Sequence, residues 1–226
     1  MSISANLTHI QTAIAEAAQT HDRSPASVKL VAVSKTKPIE LIQEAFQSGQ
    51  RIFGENRVQE LREKHPLLPE AEWHMIGSLQ RNKVKYIAPF ISLIHSVDSE
   101  RLLAEVSKQG AKHERIIPCL IQMNISEEDA KSGLDEAGVR GLLERLDEFP
   151  HVEIKGLMGM AAFIADEAEI SRQFGRLRKA LESCQDIEHD RLDLRELSMG
   201  MSGDFPLAIA QGATLVRIGS AVFGSR

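Results

Sequence analysis

The feature that most constrains this chain is an alternation. Eight short apolar runs, at 28–34, 51–54, 72–76, 92–95, 115–123, 152–160, 195–199 and 214–218, are separated by stretches with helical spacing. Short apolar runs bounded by turn residues read as buried strands, and recurrence at three and four residues reads as an amphipathic helix. The helical stretches carry Leu41 and Ala45 before Gly49, then Leu102, Leu103 and Val106 before Gly110. Leu142, Leu143 and Leu146 follow, then Ile170, Phe174, Leu177 and Leu181. Glycine is a common helix stop, so Gly49 and Gly110 are expected to end their helices. Strands joined through helices are parallel, and eight such units are the number at which a parallel sheet closes on itself. The expected fold is therefore α/β, a single (β/α)8 barrel of TIM type, with an open doubly wound sheet as the alternative. Ile3, Leu7, Ile10 and Ile14 share one face, which predicts an additional helix over about 3–20 ahead of the first strand. No linker-like or low-complexity tract interrupts the pattern, so one domain is expected over 1–226.

A chain of 226 residues can bury one large core. Its formal charge of -5 supplies no basic field for nucleic acid or an anionic membrane, so an anionic ligand has to be met by a local site. That favours a small molecule. No apolar run is long enough to span a bilayer, and Met1-Ser-Ile-Ser-Ala-Asn lacks the plan of a signal peptide, which leads to the expectation of a cytoplasmic protein. Cys119 and Cys184 are then reduced thiols, and the eight histidines show no metal-ligand spacing.

Ligands of α/β barrels sit at the carboxyl ends of the strands, with phosphate on the loops after strands seven and eight. In this chain those loops are Ser198-Met-Gly-Met-Ser202-Gly-Asp204 and Val216-Arg217-Ile-Gly219-Ser220. Small residues there can offer backbone N–H groups and hydroxyls to an anion, although two ordinary tight turns would have the same composition. Lys35 ends the first strand, where an inward side chain reaches the barrel mouth. A partly buried lysine can condense with a carbonyl, whereas most strand-end lysines are surface charges. Lys37 precedes Pro38 at a helix start and is expected to face solvent. Asn56 fits either the mouth, beside Lys35, or a helix cap. His74 and His95 occupy the ends of strands three and four, where a structural role is the commoner one. Met123, Met158, Met160, Met199 and Met201 gather at strand ends as core filling or as a soft wall for a flat ring. The polar run from Asn124 to Gly133, which includes Lys131, is a solvated loop or a rim.

Taken together, Val31-Ala-Val-Ser-Lys35-Thr-Lys-Pro38, Phe53-Gly-Glu-Asn56, Trp73-His-Met-Ile-Gly77, Leu197-Ser-Met-Gly-Met-Ser202 and Val216-Arg-Ile-Gly219 resemble the pyridoxal phosphate homeostasis proteins. Arg57 and Ser78 depart from that pattern, where tyrosine and proline are usual. The resemblance implies a barrel of the alanine racemase type, pyridoxal phosphate fold type III, lacking the C-terminal β domain of the racemases. It implies pyridoxal 5'-phosphate as cofactor, held as an internal aldimine on Lys35. It also implies phosphate binding by Ser202, Gly219 and Ser220, and Arg217 facing the pyridine nitrogen. Asn56 and His74 complete the expected cofactor-binding set. An arginine at the pyridine nitrogen leaves it unprotonated and weakens the ring as an electron sink. The sole tyrosine, Tyr86, falls on a predicted helix, so a second proton-transferring base is missing. A monomeric carrier or buffer of the cofactor is therefore expected, in transient contact with apo-enzymes that use it. Two alternatives are a racemase-like enzyme and a barrel enzyme that binds a sugar phosphate on Lys35 without cofactor.

Overall fold

The computed structural model describes residues 2–126 and 132–224; part of the polar run after strand five, 127–131 with Lys131, lies outside the described residues. Eight parallel strands close into a barrel in chain order: β1 (Lys29–Val33), β2 (Ile52–Glu55), β3 (Glu72–Met75), β4 (Leu93–Val97), β5 (Ile117–Gln122), β6 (Val152–Met158), β7 (Leu192–Ser198) and β8 (Leu215–Ile218). The ring is sealed by the pairing of β1 with β8, in which Val31 lies opposite Arg217. The helices are α1 (Ile3–Thr20), α2 (Ile39–Gln47), α3 (Val58–Lys64), α4 (Glu100–Lys112), α5 (Glu136–Leu143), α6 (Glu167–Glu182), α7 (Phe205–Ala210) and α8 (Ser220–Phe223). Between β3 and β4 the crossover uses a 3-10 helix, Arg81–Tyr86.

Each strand alternates its side chains between the two faces, which divides the apolar residues into two sets. The larger set fills the layer between strands and helices, with Phe53, Trp73, Ile94, Leu103, Phe174 and Leu177 fully buried. Burial of such side chains contributes roughly 1.5–3 kcal/mol each. The smaller set, Val31, Leu93, Leu120, Met158 and Leu215, packs inside the barrel itself. Gly156 has φ 148° where the register shifts between β6 and β7, and a Cβ there would lie 1.9 Å from the Glu196 carbonyl oxygen. Only glycine fits that approach.

The first helix buries Ile3, Leu7, Ile10, Ile14 and Ala18, the face its spacing predicts. It packs against α7 and α8, where Asn6 Nδ2 donates to the Val222 carbonyl at 2.9 Å. Two expectations are corrected by packing. Gly110 lies inside α4, which continues to Lys112, and the glycine answers to close packing: a Cβ there would sit 2.8 Å from the His151 carbonyl oxygen. Leu146 belongs to a separate 3-10 turn, Leu146–Glu148, and not to α5. Among the described residues no helix is long and apolar enough to cross a membrane, and no His/Cys/Asp/Glu group is arranged to hold a metal ion.

Candidate functional site

At the carboxyl end of the barrel the inward phase of four strands continues into the loops: Val33 to Lys35, Gly54 to Asn56, His74 to Ile76, and Arg217 to Gly219. Lys35, Asn56, Ile76, Arg217 and Gly219, with Ser202 and Ser220, line one cavity of about 270 Å³. That is the scale of a small-molecule site. Its wall also includes Met160 and Met201, each partly exposed.

Lys35 is not in β1, as the apolar run suggested, but in the turn just beyond it. Strand pairing stops because the Ser34 carbonyl accepts from the Lys37 N–H at 3.1 Å, closing a turn. Within this turn Thr36 has φ 62°, a left-handed conformation that a β-branched residue seldom adopts. Lys37 does not project freely into solvent. Its Nζ donates to the carbonyls of Phe223 (3.2 Å) and Gly224 (3.0 Å), and it also lines the cavity.

The two loops after β7 and β8 meet at the same cavity, where the Ser202 and Ser220 hydroxyls are 3.4 Å apart. Gly219 lies so close to β1 that a Cβ would come within 2.9 Å of the Val33 carbonyl oxygen. Any larger residue would push this loop into the cavity. An amine and two hydroxyls beside a glycine backbone form a donor set suited to a ligand with both a carbonyl and a phosphate.

Arg217 is buried beneath this floor. Its Nη1 donates to Ser198 Oγ at 2.6 Å and its Nη2 to the Gly159 carbonyl at 3.1 Å. Ser198 Oγ lies 2.8 Å from His95 Nδ1, and His95 Nε2 lies 2.9 Å from His74 Nδ1. His74 thus belongs to the barrel interior and is not among the residues that line this cavity. It sits one inward layer below Ile76, and Ile76 is the β3 residue that reaches the mouth. Burial, reinforced by Lys29, pushes the His74 imidazole down to about 3. Burial, with His74 and Arg217 nearby, holds His95 well below the usual histidine range. Both rings are neutral at pH 7. Arg217 donates to Ser198, and the tautomer that gives the Ser198 hydroxyl proton an acceptor has Ser198 donating to His95 Nδ1 and His95 Nε2–H to His74 Nδ1. Burial also lowers Arg217, to about 10, opposed by Asp204, which leaves it cationic at pH 7.

A second polar cluster lies on the outer side of the strands. Glu55, next to Asn56 and facing the other way, is fully buried. Its Oε1 accepts from Ser34 Oγ at 2.6 Å and from Lys64 Nζ at 2.7 Å. Lys64 Nζ also donates to Glu60 Oε2 (2.7 Å) and to the Ser34 carbonyl (2.9 Å). Burial, opposed by Lys64, raises the Glu55 carboxyl to about 7. Sequence reasoning missed Glu55, Glu60, Lys64 and Ser198. One signal was available for Lys64, which falls three residues after Leu61 and six after Val58, on the buried face of its helix.

The alanine racemase N-terminal domain model matches residues 5–226. The pyridoxal phosphate homeostasis proteins of Vibrio alginolyticus and Escherichia coli K12 are each 39% identical to this chain; the first match covers 100% of this chain and 98% of the relative, the second 99% and 97%. This chain belongs to the pyridoxal phosphate homeostasis protein family, within the alanine racemase N-terminal fold. Among solved structures, PipY of Synechococcus elongatus with pyridoxal phosphate bound is 39% identical, with TM-score 0.81, covering 93% of this chain and 100% of PipY. Alanine racemase of Bartonella henselae shares the fold, with TM-score 0.74 at 19% identity; the match spans 99% of this chain and 58% of the racemase.

Proposed function

We propose that this chain binds pyridoxal 5'-phosphate covalently through Lys35 and serves as a carrier or buffer of the cofactor, passing it to cytoplasmic apo-enzymes. The observation that carries this reading is the convergence of Lys35, the facing hydroxyls of Ser202 and Ser220, and the Gly219 backbone in one cavity above Arg217. A relative at 39% identity whose structure was solved with pyridoxal phosphate supports it. The bound cofactor supplies an aldehyde and an electron-withdrawing ring. Lys35 would provide the amine, the loops after β7 and β8 would take the phosphate, and Arg217, with its charge retained, would face the pyridine nitrogen. Asn56 adds a polar edge, whereas His74 acts only through His95 and Ser198.

A carrier is preferred to a racemase because proton transfer on both faces of a substrate requires two positioned bases. Among the described lining residues the amines of Lys35 and Lys37 and the guanidinium of Arg217 are the only charged groups. Tyr86 is exposed on the outer surface among Arg62, Lys83 and Lys85.

The test is to add pyridoxal phosphate, record the absorption spectrum, reduce with borohydride and map the labelled peptide. Label on Lys35 is expected; label confined to Lys37 or Lys83 would overturn the assignment. A hundredfold excess of cofactor over Kd should add about 2.7 kcal/mol to stability. Pyridoxal lacking the phosphate should bind much more weakly, and equal affinity would remove the role given to Ser202, Gly219 and Ser220.

A further inference from the structure

Lys35 is carried by a turn whose conformation the local sequence does not favour. Thr36 at φ 62° is β-branched, and such a residue stays left-handed only where its surroundings over-determine it. Three contacts converge on this turn from one group of side chains. The Thr36 N–H donates to Glu60 Oε2 at 2.7 Å, Lys64 Nζ donates to the Ser34 carbonyl at 2.9 Å, and Ser34 Oγ donates to Glu55 Oε1 at 2.6 Å. Lys64 completes the group by donating to both carboxylates, at 2.7 Å each, so all three of its N–H bonds are committed. A buried lysine between two glutamates is a poor source of stability compared with apolar packing, whereas its three committed hydrogen bonds fix the geometry of the groups around the turn. None of these groups lines the cavity, and all of them act on the residues that flank Lys35.

We propose that Lys64, held between Glu55 and Glu60, is a positioning residue that presents the Lys35 amine to the cavity by locking the Ser34–Thr36 turn. The inference rests on the reading that Lys35 binds an aldehyde there. Lys35 Nζ attacks the aldehyde carbon, a C=N bond forms, and the carbonyl oxygen leaves as water with the two amine protons. The locked turn sets where that nitrogen stands.

The experiment is a double-mutant cycle in the full chain, read by pyridoxal phosphate titration. Lys64→Met is expected to weaken binding about tenfold when Lys35 is present, from release of the strained turn. In a Lys35→Ala background, where binding is noncovalent, the same substitution should change affinity by less than about twofold. A general structural role would weaken both backgrounds equally and would overturn the proposal, as would unchanged binding in the first. Amide exchange at Thr36 in the ligand-free protein gives an independent reading. Its protection should fall in Lys64→Met, and unchanged protection would overturn the lock. Should Lys64→Met not fold, Glu60→Ala at a half-buried position carries the same cycle, with about threefold weakening expected only when Lys35 is present. If the unaltered protein fails to attach pyridoxal phosphate at Lys35, the cofactor reading fails in the parent titration alone, before any variant is compared.

Discussion

Two buried polar groups flank the candidate site, one inside the barrel and one outside it, and burial acts on both in the same way with opposite electrical results. Inside, His74 and His95 are bases that lose their charge, so the row from Ser198 to His74 is held by neutral hydrogen bonds, with the Arg217 cation at its upper end. Outside, Glu55 is an acid whose proton is retained up to about 7, with Lys64 opposing that shift. The barrel interior is walled by strands whose backbone groups are spent on the ladder, which leaves no counter-charge for an imidazolium. The space between β2 and α3 is different, because a helix can lower a lysine into it. Desolvation therefore sets a direction in each place, and the availability of an opposite charge decides how far it goes.

The pH dependences that follow run in opposite directions. The His74 contribution is fully present above its unfolded value near 6.5 and is lost as pH falls toward 3. Over that window the parent should lose roughly 4–5 kcal/mol relative to His74→Gln, measured by denaturant unfolding. A flat difference would mean that His74 is charged or hydrated in the native protein. The next effect tests the polarity of the inner row: Arg217→Glu places a carboxylate beside Ser198 with no cation to meet it, and should destabilise the protein by about 3–5 kcal/mol and weaken cofactor binding. A variant with the parent's melting temperature and affinity would show that Arg217 does not supply the charge assigned to it.

For the outer cluster the window is reversed. A carboxyl raised from 4.5 to about 7 contributes stability below 4.5 that disappears as pH rises through 7. Glu55→Gln keeps the shape without the titration, so it should gain about 3 kcal/mol relative to the parent between those limits. If the gain instead appeared on acidification, the assignment of a retained proton would be wrong. The smallest effect is expected for Ser198→Ala, which separates Arg217 from His95 and leaves a buried ring nitrogen without its partner. A loss of about 1–2 kcal/mol is expected, with Arg217→Glu and Ser198→Ala strongly non-additive. Simple additivity would mean that the row is a set of unrelated contacts.

Most of the barrel was legible in the sequence because strand and helix periods differ and each run is short. The eight apolar runs correspond to the eight strands, although β7 begins at Leu192. Its first residues alternate with charged Asp193 and Arg195 at the open floor, so the apolar signal starts late. Lys35, Asn56, Ser202, Arg217, Gly219 and Ser220, singled out by strand position and resemblance, line one cavity. His74 lies one inward layer below the mouth, a depth the sequence does not give, because periodicity fixes the face but not the depth. Glu55 and Lys64 were missed for a related reason. Nothing in a linear pattern reveals that a charge on one strand end will be met by a lysine from the following helix.

The seam between β1 and β8 also has a consequence for timing. Lys35 follows the first strand, Arg217 belongs to the last and Gly219 follows it, and Lys37 holds the Phe223 carbonyl 186 residues away. Chains emerge from the ribosome amino end first. A nascent chain therefore exposes Lys35 long before the loops after β7 and β8, to which the proposed site assigns the phosphate, have been made. The cavity is complete only when the eighth strand has docked on the first, so on the proposed reading a captured cofactor would mark molecules whose folding is finished.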